Sequence, residues 1–129
     1  MNIKINGIAV SAIIGCYEYE REHSQGLLID INIKLYPYNW ITQDKLDTTV
    51  DYDNLIDYVL QIVPQTHYQL LESLAQFLAQ AILARFPLIK EIDISLTKPA
   101  ICGIKAQQIK VSFTRSEERR VGKECLRLC

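Results

Sequence analysis

Apolar residues alternate near both ends of this chain and recur at helical spacing through its middle. Ile3 and Ile5, then Ile8, Val10, Ala12 and Ile14, alternate in two phases that meet at Gly7. That change of phase predicts one long strand with a bulge or bend at the glycine. Leu27, Ile29, Ile31, Ile33 and Leu35 alternate with Leu28, Asp30, Asn32 and Lys34, which predicts a half-buried second strand. A turn-rich stretch with Pro37 and Asn39 follows. Leu55, Ile56, Val59, Leu60 and Val63 then repeat at helical spacing, with Asp51 as N-cap and Pro64 as stop. Leu71, Leu74, Ala75, Leu78, Ala81, Ile82 and Phe86 share one face of a second helix that ends before Pro87. Thr66 and Gln69 offer a capping box ahead of it. Ile92, Ile94 and Leu96, and later Ile109, Val111 and Phe113, alternate as two further strands.

The predicted order is strand, strand, helix, helix, strand, strand. It describes an α+β unit, a four-stranded antiparallel sheet with both helices on one face. The strands are long, and uncovered edges of that kind invite pairing with another chain. Closing several such sheets into one barrel would remove the edges. The expectation is therefore a homo-oligomer with sites between subunits.

At 129 residues the chain is one domain with a modest core. The pattern holds over residues 1–115. Residues 116–129, from Ser116-Glu117-Glu118 to Leu128-Cys129, are charge-dense and lack strand alternation. They read as a short solvated helix, a disordered end or a stretch foreign to the domain, and no chemistry is assigned to them. A net charge of -1 with no basic block before the tail argues against nucleic acid or an anionic membrane as partner. No apolar run reaches membrane-spanning length, and Met1-Asn2-Ile3-Lys4 opens into alternation rather than a signal peptide. Cys16, Cys102, Cys125 and Cys129 form no pair of close-spaced pairs, and His23 and His67 do not complement them, so no metal site is expected. Free thiols in a cytoplasmic setting are the simplest account.

Candidate chemistry begins at Glu72, in Leu70-Leu71-Glu72-Ser73-Leu74-Ala75. Its neighbours should face a core, and burying a carboxylate there is costly unless it meets donors. A flat heterocycle with adjacent N–H and NH2 donors, such as a pterin or guanine ring, would supply two. Three other segments stand at predicted element ends. They are Gly15-Cys16-Tyr17-Glu18-Tyr19-Glu20-Arg21-Glu22-His23-Ser24-Gln25-Gly26, Asp47-Thr48-Thr49-Val50-Asp51-Tyr52, and Leu96-Thr97-Lys98-Pro99-Ala100-Ile101.

In that order, with Leu70-Leu71-Glu72 between them, these segments resemble the dihydroneopterin aldolase family. The resemblance runs from about Ile3 to Arg115. It rests on Ile14-Gly15, Glu20 through Gln25, Thr49-Val50-Asp51-Tyr52, Leu70-Leu71-Glu72 and Lys98-Pro99. It implies the tunnelling fold, a tetramer or octamer with shared sites, a small-molecule pterin substrate and no cofactor. It further implies that Glu72 anchors the pterin's amino-pyrimidine edge, with the Leu71 or Glu72 backbone amide and Val50 assisting. Tyr52, from a neighbouring subunit, would contact substrate and relay protons, Lys98 would act as general acid/base, and Glu20 would stand near the cleaved side chain. Ser24 and Tyr17 depart from the glycine and histidine of many members, which bears on loop conformation. The activity implied is retro-aldol cleavage of 7,8-dihydroneopterin without metal or enzyme-bound imine. Epimerisation on the same scaffold and a non-catalytic pterin-binding oligomer remain as alternatives.

Overall fold

The computed structural model describes residues 1–37, 44, 49–99 and 108–117. Asn39, Asp47, Thr48, Ala100, Ile101, the cysteines beyond Cys16 and the tail past Glu117 lie outside them. Strand β1 spans Asn2–Ile14 and pairs antiparallel with β2, Gln25–Leu35. Ile5 faces Ile31 while Ile8 faces Ile29, so β1 holds one extra residue at the expected place. Gly7 adopts φ +77° there, and its N–H donates to Asp30 Oδ1 at 2.7 Å. A bulge with glycine in a left-handed conformation has this geometry. The extra residue restores parity, so both apolar phases of β1 share one face.

A five-residue helix α1, Glu18–Glu22, occupies the connection to β2. Its first turn closes because Tyr17 C=O accepts from Glu20 N–H. Helix α2 spans Tyr52–Ile62, and Asp51 caps it by accepting from the Asp53 and Asn54 N–H groups. A 3-10 turn over Val63–Gln65 with Pro64 at its start follows. Helix α3 spans Leu71–Arg85, and the expected capping box is absent. Thr66 Oγ1 instead donates to Val63 C=O at 2.7 Å, closing the 3-10 turn, and α3 starts at Leu70 without a side-chain cap.

Besides α1, the expected order ββααββ gains a strand. His67–Tyr68 form a two-residue strand β3, parallel to Ile13–Ile14 of β1, and this makes the sheet mixed. With β4, Ile89–Pro99, and β5, Gln108–Ser116, the sheet order is β3-β1-β2-β4-β5. All pairings except the short parallel one are antiparallel. The last strand reaches Ser116, and Glu117 N–H donates to Lys90 C=O.

The core lies between one sheet face and the helices. Leu27, Ile29, Ile31, Ile33 and Leu35 meet Ile92, Ile94 and Leu96 there, all buried. Helix α3 buries Leu71, Leu74, Ala75, Leu78, Ala79, Ile82 and Leu83. Ala79 and Leu83 were not on the expected face, whereas Ala81 and Phe86 are only partly buried. Helix α3 packs chiefly over β4 and β5, and its C-terminal end also meets α2. The Arg85 guanidinium lies 5.1 Å from the Tyr58 ring centre, and Tyr58 meets Phe86 edge-on. Among the described residues, the β1 edge before Ile13 and the outer β5 edge have no ladder partner within the chain. No described helix is long and apolar enough to cross a membrane.

Candidate active site

The ends of β1 and β4 and the start of β2 meet at one end of the sheet, and Lys98 stands there on the core-facing side. Its parity along β4 continues Ile92, Ile94 and Leu96, so its side chain enters the interior rather than water. Lys98 is 7% exposed and Glu20 of α1 is 2% exposed. Lys98 Nζ donates to Glu20 Oε2 at 2.9 Å. Charges so deeply placed require a partner, and each is the other's.

The remaining contacts of the carboxylate come from its own loop. Tyr17 N–H donates to Oε1 at 3.2 Å, and Gln25 Nε2 donates to Oε2 at 3.2 Å while also reaching Ile14 C=O at 2.8 Å. Burial opposes the charged form. The Lys98 ammonium, the Tyr17 N–H and the Gln25 amide outweigh it, and together they hold the Glu20 carboxyl below its ordinary range. Gln25 belonged to the matched segment, but no role for it was legible, since its two acceptors meet only after β1 and β2 pair.

The start of α3 adjoins this pair. Gly15 N–H donates to Tyr68 C=O at 3.2 Å, and Cys16 Sγ lies 3.5 Å from Gln69 C=O. Leu71 is buried, as its neighbours imply, but Glu72 is exposed. The expectation of a carboxylate facing the core is corrected here. Glu72 lies one position past Leu71 in the first helical turn, so its side chain leaves the core face while the apolar residues around it fill the interior. It is free to meet a ligand. An open cleft of about 550 Å³ lies at this end of the sheet, lined by Ser11, Gly26, Leu28, Thr97, Lys98 and Gln108 among others.

Val50 and Tyr52 stand elsewhere. Val50 is buried beside Asp51, Phe86, Pro87 and Leu88 around a second cleft of about 480 Å³. This is the end where β4 begins, because Tyr36 N–H donates to Leu88 C=O. Nine strand steps from Ile89 to Lys98, at about 3.3 Å each, separate the two ends by about 30 Å. Tyr52 is 54% exposed at that far end. One chain therefore unites Glu20 and Lys98 beside the helix bearing Leu71 and Glu72, but it does not bring Tyr52 or Val50 to them. Among the described residues, no three His, Cys, Asp or Glu side chains are grouped to hold a metal ion.

Comparison with known proteins identifies the family and the fold. The family model described as dihydroneopterin aldolase matches residues 3–114. A dihydroneopterin aldolase of Methylorubrum extorquens is 31% identical over 98 residues, covering 76% of this chain and 75% of that protein. The crystal structure described as a dihydroneopterin aldolase of Vibrio cholerae superposes with a TM-score of 0.82 at 26% identity, over 91% of this chain and 98% of its own. The Escherichia coli dihydroneopterin aldolase, solved in complex with neopterin, gives 0.81 at 25% identity, over 90% and 99%.

Proposed function

Because this chain belongs to the dihydroneopterin aldolase family, we propose that its buried Glu20–Lys98 pair moves the protons of a retro-aldol cleavage at a site completed by a second copy of the chain. The substrate is 7,8-dihydroneopterin, and the products are 6-hydroxymethyl-7,8-dihydropterin and glycolaldehyde, a step of folate biosynthesis. The observation that carries this reading is the ion pair itself, 2.9 Å long and buried at the sheet end.

The substrate brings its own electron sink. Removing the 2′-hydroxyl proton lets the C1′–C2′ bond break, and C2′ departs as the carbonyl carbon of glycolaldehyde. The bonding pair flows through C6 to N5 of the ring imine. Protonation at C1′, with loss of the proton that N5 gained and return of the N5=C6 double bond, gives the hydroxymethyl product. The protein has to hold the ring rigidly and move protons between the hydroxyl, N5 and C1′. Lys98, with Glu20 as counter-charge, delivers a proton to N5 as electrons arrive there. The amine so formed recovers the 2′-hydroxyl proton through water. Neither step needs an imine to the enzyme or a metal.

Glu72, exposed at the start of α3, receives the N–H and NH2 donors of the pyrimidine edge, with the Leu71 or Glu72 amide beside it. Tyr52 and Val50 reach the substrate from a neighbouring subunit, since their own Lys98 is about 30 Å away. The unpaired β1 and β5 edges suit a closed ring of sheets, the barrel of the tunnelling fold, in a tetramer or octamer. Incubation with 7,8-dihydroneopterin, followed by chromatography, should yield the hydroxymethylpterin and glycolaldehyde in equal amounts. No product from folded oligomer would overturn the reading.

A further inference from the structure

Gly15 ends β1 and opens the loop that carries Glu20. Its φ is +141°, and a Cβ built on it would lie 2.2 Å from Glu20 Oε1, 2.3 Å from Cδ and 2.7 Å from Cβ. No ordinary contact is that short, so the Glu20 side chain occupies the volume that any other residue at position 15 would fill. The peptide that leads into it is tied at both its polar groups. Gly15 N–H is bonded to Tyr68 C=O, and the preceding Ile14 C=O accepts from Gln25. With that peptide held, Glu20 gives way, and because its Cβ is among the overlapped atoms the backbone of α1 must shift with it.

We propose that Gly15 is a positioning residue, whose missing Cβ admits the Glu20 carboxylate to its place against Lys98. Gly7 is the natural contrast. It also has positive φ, +77°, but an added Cβ there meets no heavy atom within 4 Å. Alanine at Gly7 reports backbone strain alone, whereas alanine at Gly15 adds displacement of Glu20. A role in turnover rests on the aldolase reading, but the placing of Glu20 does not.

The test compares Gly15→Ala with Gly7→Ala in the full-length protein by two readouts. Carboxyl NMR titration should find Glu20 below the ordinary glutamate range in the wild type and in Gly7→Ala, and moved upward in Gly15→Ala. Turnover should fall about a hundredfold in Gly15→Ala with KM little changed, the scale expected when a reacting group is displaced by about an ångström. Gly7→Ala should leave kcat near wild type. On a Glu20→Ala background, Gly15→Ala should cost no further turnover, because the residue it acts through is gone. If Gly15→Ala alone fails to fold, melting temperatures of Glu20→Ala and the double variant decide. A cost of Gly15→Ala smaller than a full loss of folding supports the overlap, and a double variant that also fails to fold overturns it. Glu20 titrating alike in Gly15→Ala and Gly7→Ala also overturns it. A shifted titration in a protein that cleaves no pterin would leave the positioning standing and remove the aldolase reading.

Discussion

Lys98 and Glu20 stand 78 residues apart in the chain and meet across 2.9 Å inside it. One ends a strand, and the other lies on a five-residue helix within the first long connection. Replacing Lys98 by alanine removes the proton mover and leaves the α3 start untouched. Turnover should fall by about 10²–10⁴-fold, the usual contribution of a general acid or base, while pterin affinity stays within a small factor. Stopped-flow product formation and calorimetry with a pterin inhibitor measure the two separately. Equal losses in both would assign Lys98 to binding.

Glu72 should show the opposite split. It is exposed, so Glu72→Gln should change stability by less than about 0.5 kcal/mol. Losing a charge-assisted pair to the ring should weaken pterin binding roughly ten- to hundredfold, on the order of 1.5–3 kcal/mol. Calorimetric titration with an unchanged dissociation constant would contradict the assignment.

Subunit mixing tests the shared site. Lys98→Ala and Tyr52→Ala chains, each inactive, should regain activity after exchange, because some interfaces then hold an intact Lys98 and an intact Tyr52. Mass spectrometry of the mixed oligomers establishes that exchange has taken place. No recovery in oligomers shown to be mixed would mean that these residues act within one chain or not together.

The Glu20 pair also makes stability depend on pH. Its carboxyl is held below the ordinary range in the fold, so the unfolded chain binds that proton more readily. The contribution is complete above the unfolded value, about 4.3, and is lost as pH falls from there through the folded value. Denaturant unfolding over that acid window should be steeper in pH for the wild type than for Glu20→Gln. Parallel curves would show that the carboxylate is not held by its partners.

The Asp51 cap is a purely structural prediction. Its carboxylate accepts from Asp53 and Asn54 at the start of α2. Asp51→Ala should cost about 1 kcal/mol in chemical denaturation. A cost near zero would show that solvent satisfies those amides equally well.

Local periodicity determined a great deal of this protein. The phase change at Gly7, the Asp51 cap and the alternation of β2, β4 and β5 each depend on residues within a few positions of one another, so composition and spacing suffice to read them. The segments that carry Glu20, Leu71, Glu72 and Lys98 were legible as an ordered set. Their meeting was not, because packing at the sheet end depends on which strands pair and in which register. The two-residue β3 has no pattern of its own and exists only because Ile13 and Ile14 offer it an edge. Glu72 was expected inside and lies outside, since one helical step rotates a side chain by about 100° and only the packed helix settles which step faces the core. Gly15 was visible as a glycine, yet what it makes room for became defined only when Glu20 folded back against it. The same holds for Tyr52. Its sequence position marks a helix start, and only the tertiary structure places that start a sheet's length from Lys98.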